Sequence, residues 1–239
     1  VMDNPSNTKI LELLYAYQEQ EESISVFVND KNEGLVYSLN LALDKCHGEY
    51  VARMDADDIC HLDRLEKQLH FLVCNNLDLV GANVNLFNDS GVFYTTNKLL
   101  THKYLKKMLS NGTIGIVHPT FFAKLAVYRA LDGYKHSLHT EDKEFLARVF
   151  CHDFKVGNTK DVLLDCRYNN NSVTKVNAIY VNKVGIYVTE VFNNYLMTGC
   201  YEFDEKYHES LNISEEEIVS YNKKQILMGR LRGDLYSKN

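Results

Sequence analysis

Residues 48–68 read G-E-Y-V-A-R-M-D-A-D-D-I-C-H-L-D-R-L-E-K-Q, and this stretch decides the fold. Tyr50 to Met54 is a short, mostly apolar run of β-formers after Gly48, and reads as a buried strand. Asp55, Asp57 and Asp58 follow at once. Leu62, Leu65, Leu69 and Leu72 then recur at helical spacing, and Asp63 with Glu66 three residues on has the form of a capping box. Three carboxylates therefore fall on a strand-to-helix corner, the place where an α/β sheet opens onto its ligand crevice.

Carboxylates this close repel one another unless a cation lies among them. Hard oxygen ligands suit Mg²⁺ or Mn²⁺, and Mg²⁺ shares its shell with substrate phosphates and water. Asp55 and Asp57 are two residues apart, so they share a face of an extended backbone and can also converge on a turn. The plain alternative is an acidic loop that caps a helix and faces solvent. A calcium hand is excluded: Asp55, Asp57 and Glu66 would fit it, but Cys60 stands where that loop needs glycine.

The 239 residues allow one large α/β domain, or a domain with an appendage. A net charge of −6 without a long basic run argues against nucleic acid as the main partner. The 6 cysteines form no C-x-x-C, and the pairs Cys46-His47, Cys60-His61 and Cys151-His152 lack zinc-finger spacing. They read as free thiols of a reducing, cytoplasmic compartment. No run approaches about 18 consecutive apolar residues, so no transmembrane helix is expected.

Along the chain, Thr8 to Gln20 reads as a helix with Ile10, Leu13, Leu14 and Tyr17 on one face. Ser23 to Asn29 alternates Ile24, Val26 and Val28 and reads as a strand. Asn32-Glu33-Gly34-Leu35 turns into a helix lined by Leu35, Leu39, Ala42, Leu43 and Cys46. Beyond the acidic stretch, Leu77 to Val80 and Val84 to Phe87 read as two strands, Asn88 to Gly91 as a turn, and Thr101 to Leu109 as a short basic helix closed by Asn111-Gly112. Strand and helix alternate, which predicts an α/β fold with a mostly parallel central sheet and helices on both faces.

A second informative region begins at Ile114, where I-G-I-V-H-P-T-F-F-A-K breaks an apolar run with His118-Pro119-Thr120. Asp132-Gly133-Tyr134 ends the next helix, and H-T-E-D-K-E-F-L-A-R-V-F opens another with Phe145, Leu146, Val149 and Phe150 as its apolar face. Glu141 and Asp142 thus lie in a first turn, where the helix dipole favours the anion that a general base requires. Acidic residues also occupy first turns purely for stability. Phe154 to Val156 and Val162 to Tyr168 read as two more strands, followed by R-Y-N-N-N-S. From residue 175 onward the chain reads as helical, with a stripe from Tyr180 to Tyr195 that suits core packing, a capping box at Ser214 and Glu217, and a last helix carrying Ile226, Leu227, Leu231 and Leu235. Arg230, Arg232 and Lys238 near its end would suit an interfacial contact with anionic lipid.

G-E-Y-V-A-R-M-D-A-D-D with D-R-L-E-K-Q, then H-P-T-F-F, L-D-G-Y and T-E-D in that order, resembles family 2 glycosyltransferases of the GT-A fold over roughly residues 1 to 172. The resemblance implies that Asp55 and Asp57 hold Mn²⁺ or Mg²⁺ against the diphosphate of a nucleotide sugar, Asp57 being favoured as the direct ligand. It implies a donor side that includes Asp3, Asn32, Gly34, Arg53, Asp55 and Arg167. Asp3 is either a nucleobase contact or part of an ordinary turn before Pro5; Asn32 and Gly34 are cap and turn residues or neighbours of the nucleotide; Arg167 faces the diphosphate or the surface. Asp142 takes the place of the family's catalytic base, with Glu141 and His118 on the acceptor side, where His118 reads equally as structural.

The resemblance would place the family's first strand and helix before Val1, so either the chain is a fragment or its base pocket is incomplete. The expected organisation is a GT-A-like domain over 1–174, shortened at its start relative to the family, and a helical C-terminal extension over 175–239. The implied function is an inverting, metal-assisted transfer from a nucleotide-diphosphate sugar, UDP favoured, to a hydroxyl of a glycan or glycolipid. Lipid-linked acceptors would bring the protein to the inner face of the membrane as a peripheral enzyme. A non-catalytic nucleotide-sugar binder and a metal-dependent nucleotide phosphohydrolase are the alternatives.

Overall fold

A computed structural model describes residues 1–3, 6–168 and 177–224. Its helices are α1 (Thr8–Gln20), α2 (Leu35–Asp44), α3 (Arg64–Cys74), α4 (His102–Ser110), α5 (Leu125–Ala130), α6 (Glu141–Cys151) and α7 (Ala178–Thr198). Its strands are β1 (Tyr50–Ala52), β2 (Ile59–Cys60), β3 (Leu79–Asn88), β4 (Gly91–Thr95), β5 (Phe122–Lys124) and β6 (Val156–Arg167). The sheet runs β1-β5-β3-β6-β2, with β4 added to β3. Parallel pairing is confined to its long central pair, β3 with β6; the other strand pairs among the described residues are antiparallel.

Successive side chains of β3 serve opposite faces, as pleating requires. Leu79 joins a core with Phe121, which precedes β5, Phe145 of α6, and Val188 and Phe192 of α7, whereas Val80 packs with Leu72 of α3 and Phe122. Helices thus cover both faces. Residues 77–80 and 84–87 form one strand rather than two, as do 154–156 and 162–168. The interruption that suggested a break is Gly81-Ala82-Asn83, where the register against β6 shifts. Asn83 is buried there, and its amide donates to Lys98 O and Thr159 O. A Cβ on Gly81 would lie 2.0 Å from Ile116 Cγ2, so this crossing needs glycine.

The helix after the acidic stretch differs most from its reading. Leu62, Leu65 and Leu69 are exposed, and the buried row is Arg64, Gln68 and Leu72. The spacing was helical, but the inward face is polar because backbone carbonyls await it. Arg64 Nη2 donates to Arg53 O (2.7 Å) and Pro119 O (3.0 Å), and its Nε donates to Gln68 Oε1 (2.9 Å). Gln68 Nε2 donates to Thr120 O (2.7 Å) and Val80 O (3.3 Å). The capping box at Asp63 and Glu66 does not form; Asp63 pairs with Lys67 at 2.7 Å instead.

Two further expectations are corrected. Residues 23–29 form no strand beyond a parallel bridge between Met2 and Val28, because Gln18 Oε1 takes the Val26 N–H at 2.6 Å. β1 is an edge strand with Ala52 exposed, not a buried one. α1 forms as expected, but Ile10, Leu13 and Tyr17 are exposed on it. The reciprocal capping bonds of Ser214 and Glu217 are present and open a helix over 215–224, while Ile226, Leu227, Leu231 and Leu235, and the cluster Arg230, Arg232 and Lys238, lie outside the described residues. No described helix is long and apolar enough to cross a membrane.

Replacing Gln68 by Leu keeps the volume but strips donors from two buried carbonyls. The expected cost is about 1–3 kcal/mol, the penalty of an unsatisfied buried group. Urea unfolding would read it as a lower midpoint at unchanged slope.

Candidate active site

The corner after β1 is built from the backbone outward. Arg53 N–H donates to Phe121 O at 2.8 Å, which ties the end of β1 to the residue after the His118–Thr120 turn. The Arg53 side chain is buried and forks onto Asp55: Nη1 to Oδ2 at 2.9 Å and Nη2 to Oδ1 at 2.6 Å. Its Nε has no partner. The Asp58 N–H reaches back to Asp55 O at 3.3 Å, so the aspartates sit on a turn. Asp57 is exposed. Asp58 Oδ1 accepts the Arg167 N–H at 2.9 Å and the Cys166 thiol lies beside the carboxylate, while the buried Oδ2 has no hydrogen-bond partner of ordinary geometry among the described residues. Burial raises the Asp58 pKa, and the charges of Asp55 and Asp57 add to the rise.

These residues fit a divalent cation. An orphaned buried carboxylate oxygen, an exposed aspartate and a like-charge penalty on one turn are what a hard cation relieves. No preformed group of three or more His, Cys, Asp or Glu ligands exists among the described residues. Asp55 is already answered by Arg53, which leaves Asp57 and Asp58 as the carboxylates with free capacity.

The acidic start of α6 faces this corner. Arg148 and Glu144, both buried, make a two-bond pair with Nε–Oε1 and Nη2–Oε2 each at 2.7 Å. Arg148 also donates to the carbonyls of Leu131 and Gly133, which docks α6 on the loop before it. Glu141 is buried, and Asp142 opens onto a cleft while remaining enclosed by protein. Burial, then the neighbouring Glu141 charge, pushes the Asp142 carboxyl up to about 7. Burial also raises Glu141. Lys143 N–H donates to Asp142 Oδ1 at 2.7 Å. The Lys143 ammonium is buried against two carbonyls, Gly185 O at 2.5 Å and Gly112 O at 3.0 Å, and burial lowers its pKa to about 8.

His118 bridges the two corners. Its Nε2 lies 3.0 Å from Tyr134 Oη and its Nδ1 lies 3.8 Å from Glu141 Oε1. Burial, with Arg53 nearby, holds its pKa well below the ordinary value, so the ring is neutral. A cleft of about 790 Å³ is lined by Arg53, Asp55, His118, Glu141, Asp142 and Lys143, with α7 as its outer wall. The structure thus brings Asp55, Arg53, His118, Glu141 and Asp142 together. A neighbouring cavity of about 470 Å³ shares Arg53 and Asp55 and is closed by Leu35, Ser38 and Val1.

Four expected donor-side residues, Asp3, Asn32, Gly34 and Arg167, lie apart from the residues that line the cleft. The Asp3 carboxylate accepts from Asn29 Nδ2 (2.6 Å), Glu33 N (2.8 Å) and Gly34 N (2.8 Å). Burial opposes its ionisation, but these bonds together hold its pKa below the usual value. Asp3 therefore staples the turn at Asn32 and Gly34 instead of projecting outward, and Gly34, at φ +89°, begins α2 there. Asn32 is exposed on that turn. Arg167 does not reach the cleft: its guanidinium lies over the Phe87 ring at 4.6 Å and 3.7 Å from Asp89. Sequence reasoning missed Lys143 and the α7 wall. No sequence signal marked Lys143, which stands in the charged run 141–144 at the start of α6.

A sheet whose strand ends carry an aspartate turn, opposed by an acidic helix start across one cleft, defines the GT-A class of α/β fold. The chain belongs to glycosyl transferase family 2, whose family model matches residues 1–131. It is 30% identical over 169 residues to the O-antigen biosynthesis glycosyltransferase WbnJ of Escherichia coli, covering 70% of this chain and 66% of that one. It is 30% identical over 173 residues to the uncharacterized glycosyltransferase MJ1057 of Methanocaldococcus jannaschii, covering 71% of this chain and 59% of that one. Among solved structures, S. aureus TarS 1-349 in complex with UDP-GlcNAc superposes with a TM-score of 0.61 at 17% identity, over 91% of this chain and 67% of that one. The mannosyltransferase PcManGT from Pyrobaculum calidifontis, in complex with GDP-Man and Mn²⁺, superposes with a TM-score of 0.56 at 13% identity, over 100% of this chain and 78% of that one.

A carboxyl that titrates near 7 when folded and near 3.8 when unfolded binds more protons in the native state between those values. Stability therefore falls as pH rises through that window. The isosteric change Asp142→Asn keeps an acceptor for the Lys143 N–H and removes this loss. By calorimetry the variant should melt above the parent at pH 8, with the gap closing toward pH 4; an equal offset at both would place the cause elsewhere.

Proposed function

We propose that the protein is an inverting glycosyltransferase that moves a sugar from a nucleotide-diphosphate donor, UDP-linked by preference, to a hydroxyl of a glycan or lipid-linked glycan. The observation that carries this reading is the meeting of the Asp55 corner and the Glu141–Asp142 helix start in one cleft. The donor complexes of two fold neighbours and the O-antigen role in the name of one relative support it.

In this reading the nucleotide enters beside the turn that Asp3 holds, in the cavity between α2 and the β1 end. Asp57 and Asp58, with Asp55, would hold Mn²⁺ or Mg²⁺. A bound divalent ion supplies charge neutralisation on a departing diphosphate. Asp142 accepts the proton of the attacking hydroxyl. A pKa of about 7 suits that task, because base strength and the ionised fraction are balanced near neutrality. Neutral His118, hydrogen-bonded to Tyr134, lines the cleft beside Glu141 without adding a positive charge that would weaken the base. One displacement from the face opposite the leaving group inverts the anomeric centre.

Two measurements test this. Asp142→Asn should lower transfer by about 10²–10⁴-fold, the usual contribution of a general base, while calorimetric binding of a UDP-sugar with Mn²⁺ persists. Parent activity should fall as pH drops below about 7, tracking protonation of Asp142. Metal-dependent donor binding without turnover of any donor would instead favour a binding protein, and diphosphate cleavage needing no acceptor would favour a phosphohydrolase.

A further inference from the structure

We infer that α7 carries an acceptor subsite, the stripe Asn182, Ile186 and Glu190, shaped for an uncharged, hydroxyl-rich sugar ring. This rests on the transfer reading above and adds to it the class of acceptor. The three residues are spaced four apart, so they form one row on the helix. All three are exposed and line the cleft that holds Asp142, while Val184, Val188 and Phe192 on the opposite face are buried in the core.

The row is held at a fixed place relative to the base. The Lys143 ammonium donates to Gly185 O, and Asn193 Nδ2 donates to Ser110 O at 3.0 Å. Lys143 is the next residue after Asp142 and bonds its carboxylate through the backbone, so the base and the wall share one anchor.

The chemistry of the row selects the ligand. Ile186 is 50% exposed in a cleft wall, a surface that the C–H face of a sugar ring would cover. Asn182 and Glu190, one turn to either side, offer donor and acceptor groups for ring hydroxyls. Charge excludes acidic acceptors. Glu141, Asp142 and Glu190 are carboxyls, buried Arg53 spends both terminal nitrogens on Asp55, the Lys143 ammonium is committed to two carbonyls, and burial lowers the His139 pKa, which favours the neutral ring. Among the described lining residues a uronate or phosphate would therefore find only the buried Arg53 Nε and no exposed cation.

Saturation-transfer NMR with methyl β-glucopyranoside, methyl β-galactopyranoside and methyl β-glucuronide tests contact without any donor. The neutral glycosides should show signal and the glucuronide little. Ile186→Glu should weaken the neutral signals about fivefold, the loss expected for one ordinary interaction, and Glu190→Arg should restore the glucuronide. In the transfer assay both variants should raise acceptor KM by a similar factor, while calorimetric nucleotide-sugar affinity stays within about twofold, since no residue of α7 lines the cavity assigned to the nucleotide. Equal glucuronide and neutral signals in the parent, or variants indistinguishable from it, would overturn the subsite. The NMR result is readable even if no nucleotide sugar binds, which would count against the transfer reading alone.

Discussion

A buried guanidinium with no carboxylate to answer it sets the geometry of the whole site. Arg64 is 1% exposed, yet its partners are two main-chain carbonyls and the Gln68 amide oxygen. Taking such a charge from water costs several kcal/mol and is tolerated only where hydrogen bonds replace the lost solvent. The carbonyls it finds belong to Arg53 and Pro119, the residue after β1 that leads into the aspartate turn and the middle of the His118–Thr120 turn. One side chain of α3 thus fixes the donor corner and the acceptor corner to a common point. Gln68 repeats the pattern a turn later on Thr120 and Val80, which carries the tie into the central strand.

From that frame the charge distribution of the cleft follows. Arg53 is led into the interior by its main-chain bonds and meets Asp55, so one aspartate of the corner is neutralised within the protein. Its neighbours are not, and Asp58 keeps an unanswered oxygen. Across the cleft, the same exclusion of water that packs α6 against β3 keeps Glu141 and Asp142 reluctant to ionise. The two walls therefore differ in kind: one carries carboxylates short of a cation, the other carries carboxyls poised to exchange a proton.

How much of this was legible in the sequence depends on what each residue type complements. Apolar periodicity located α1, α2, α4 and α6, and the acidic and E-D motifs located both corners. It failed where buried polar groups serve the backbone. Arg64 and Gln68 looked like the solvent face of a leucine-lined helix, and the carbonyls that draw them inward belong to segments distant in the chain. Asn83 and Asn158, which no sequence motif singled out, are interior and bonded to Lys98 O. Asp3 and Arg167 carried the right chemistry for a donor site, but local partners took their side chains. The part that α7 plays in the cleft was invisible because its apolar stripe suits core packing, and core packing is also what it does.

The clamp between Arg148 and Glu144 spans the middle of α6 and reaches the carbonyls of Leu131 and Gly133. Sliding that helix along its axis would break all of these bonds at once, so its leading turn behaves as a rigid floor. The opposite wall has no such lock on its exposed row. Divergence among relatives should accordingly accumulate on α7, where a change of side chain alters what is admitted without disturbing where the proton goes.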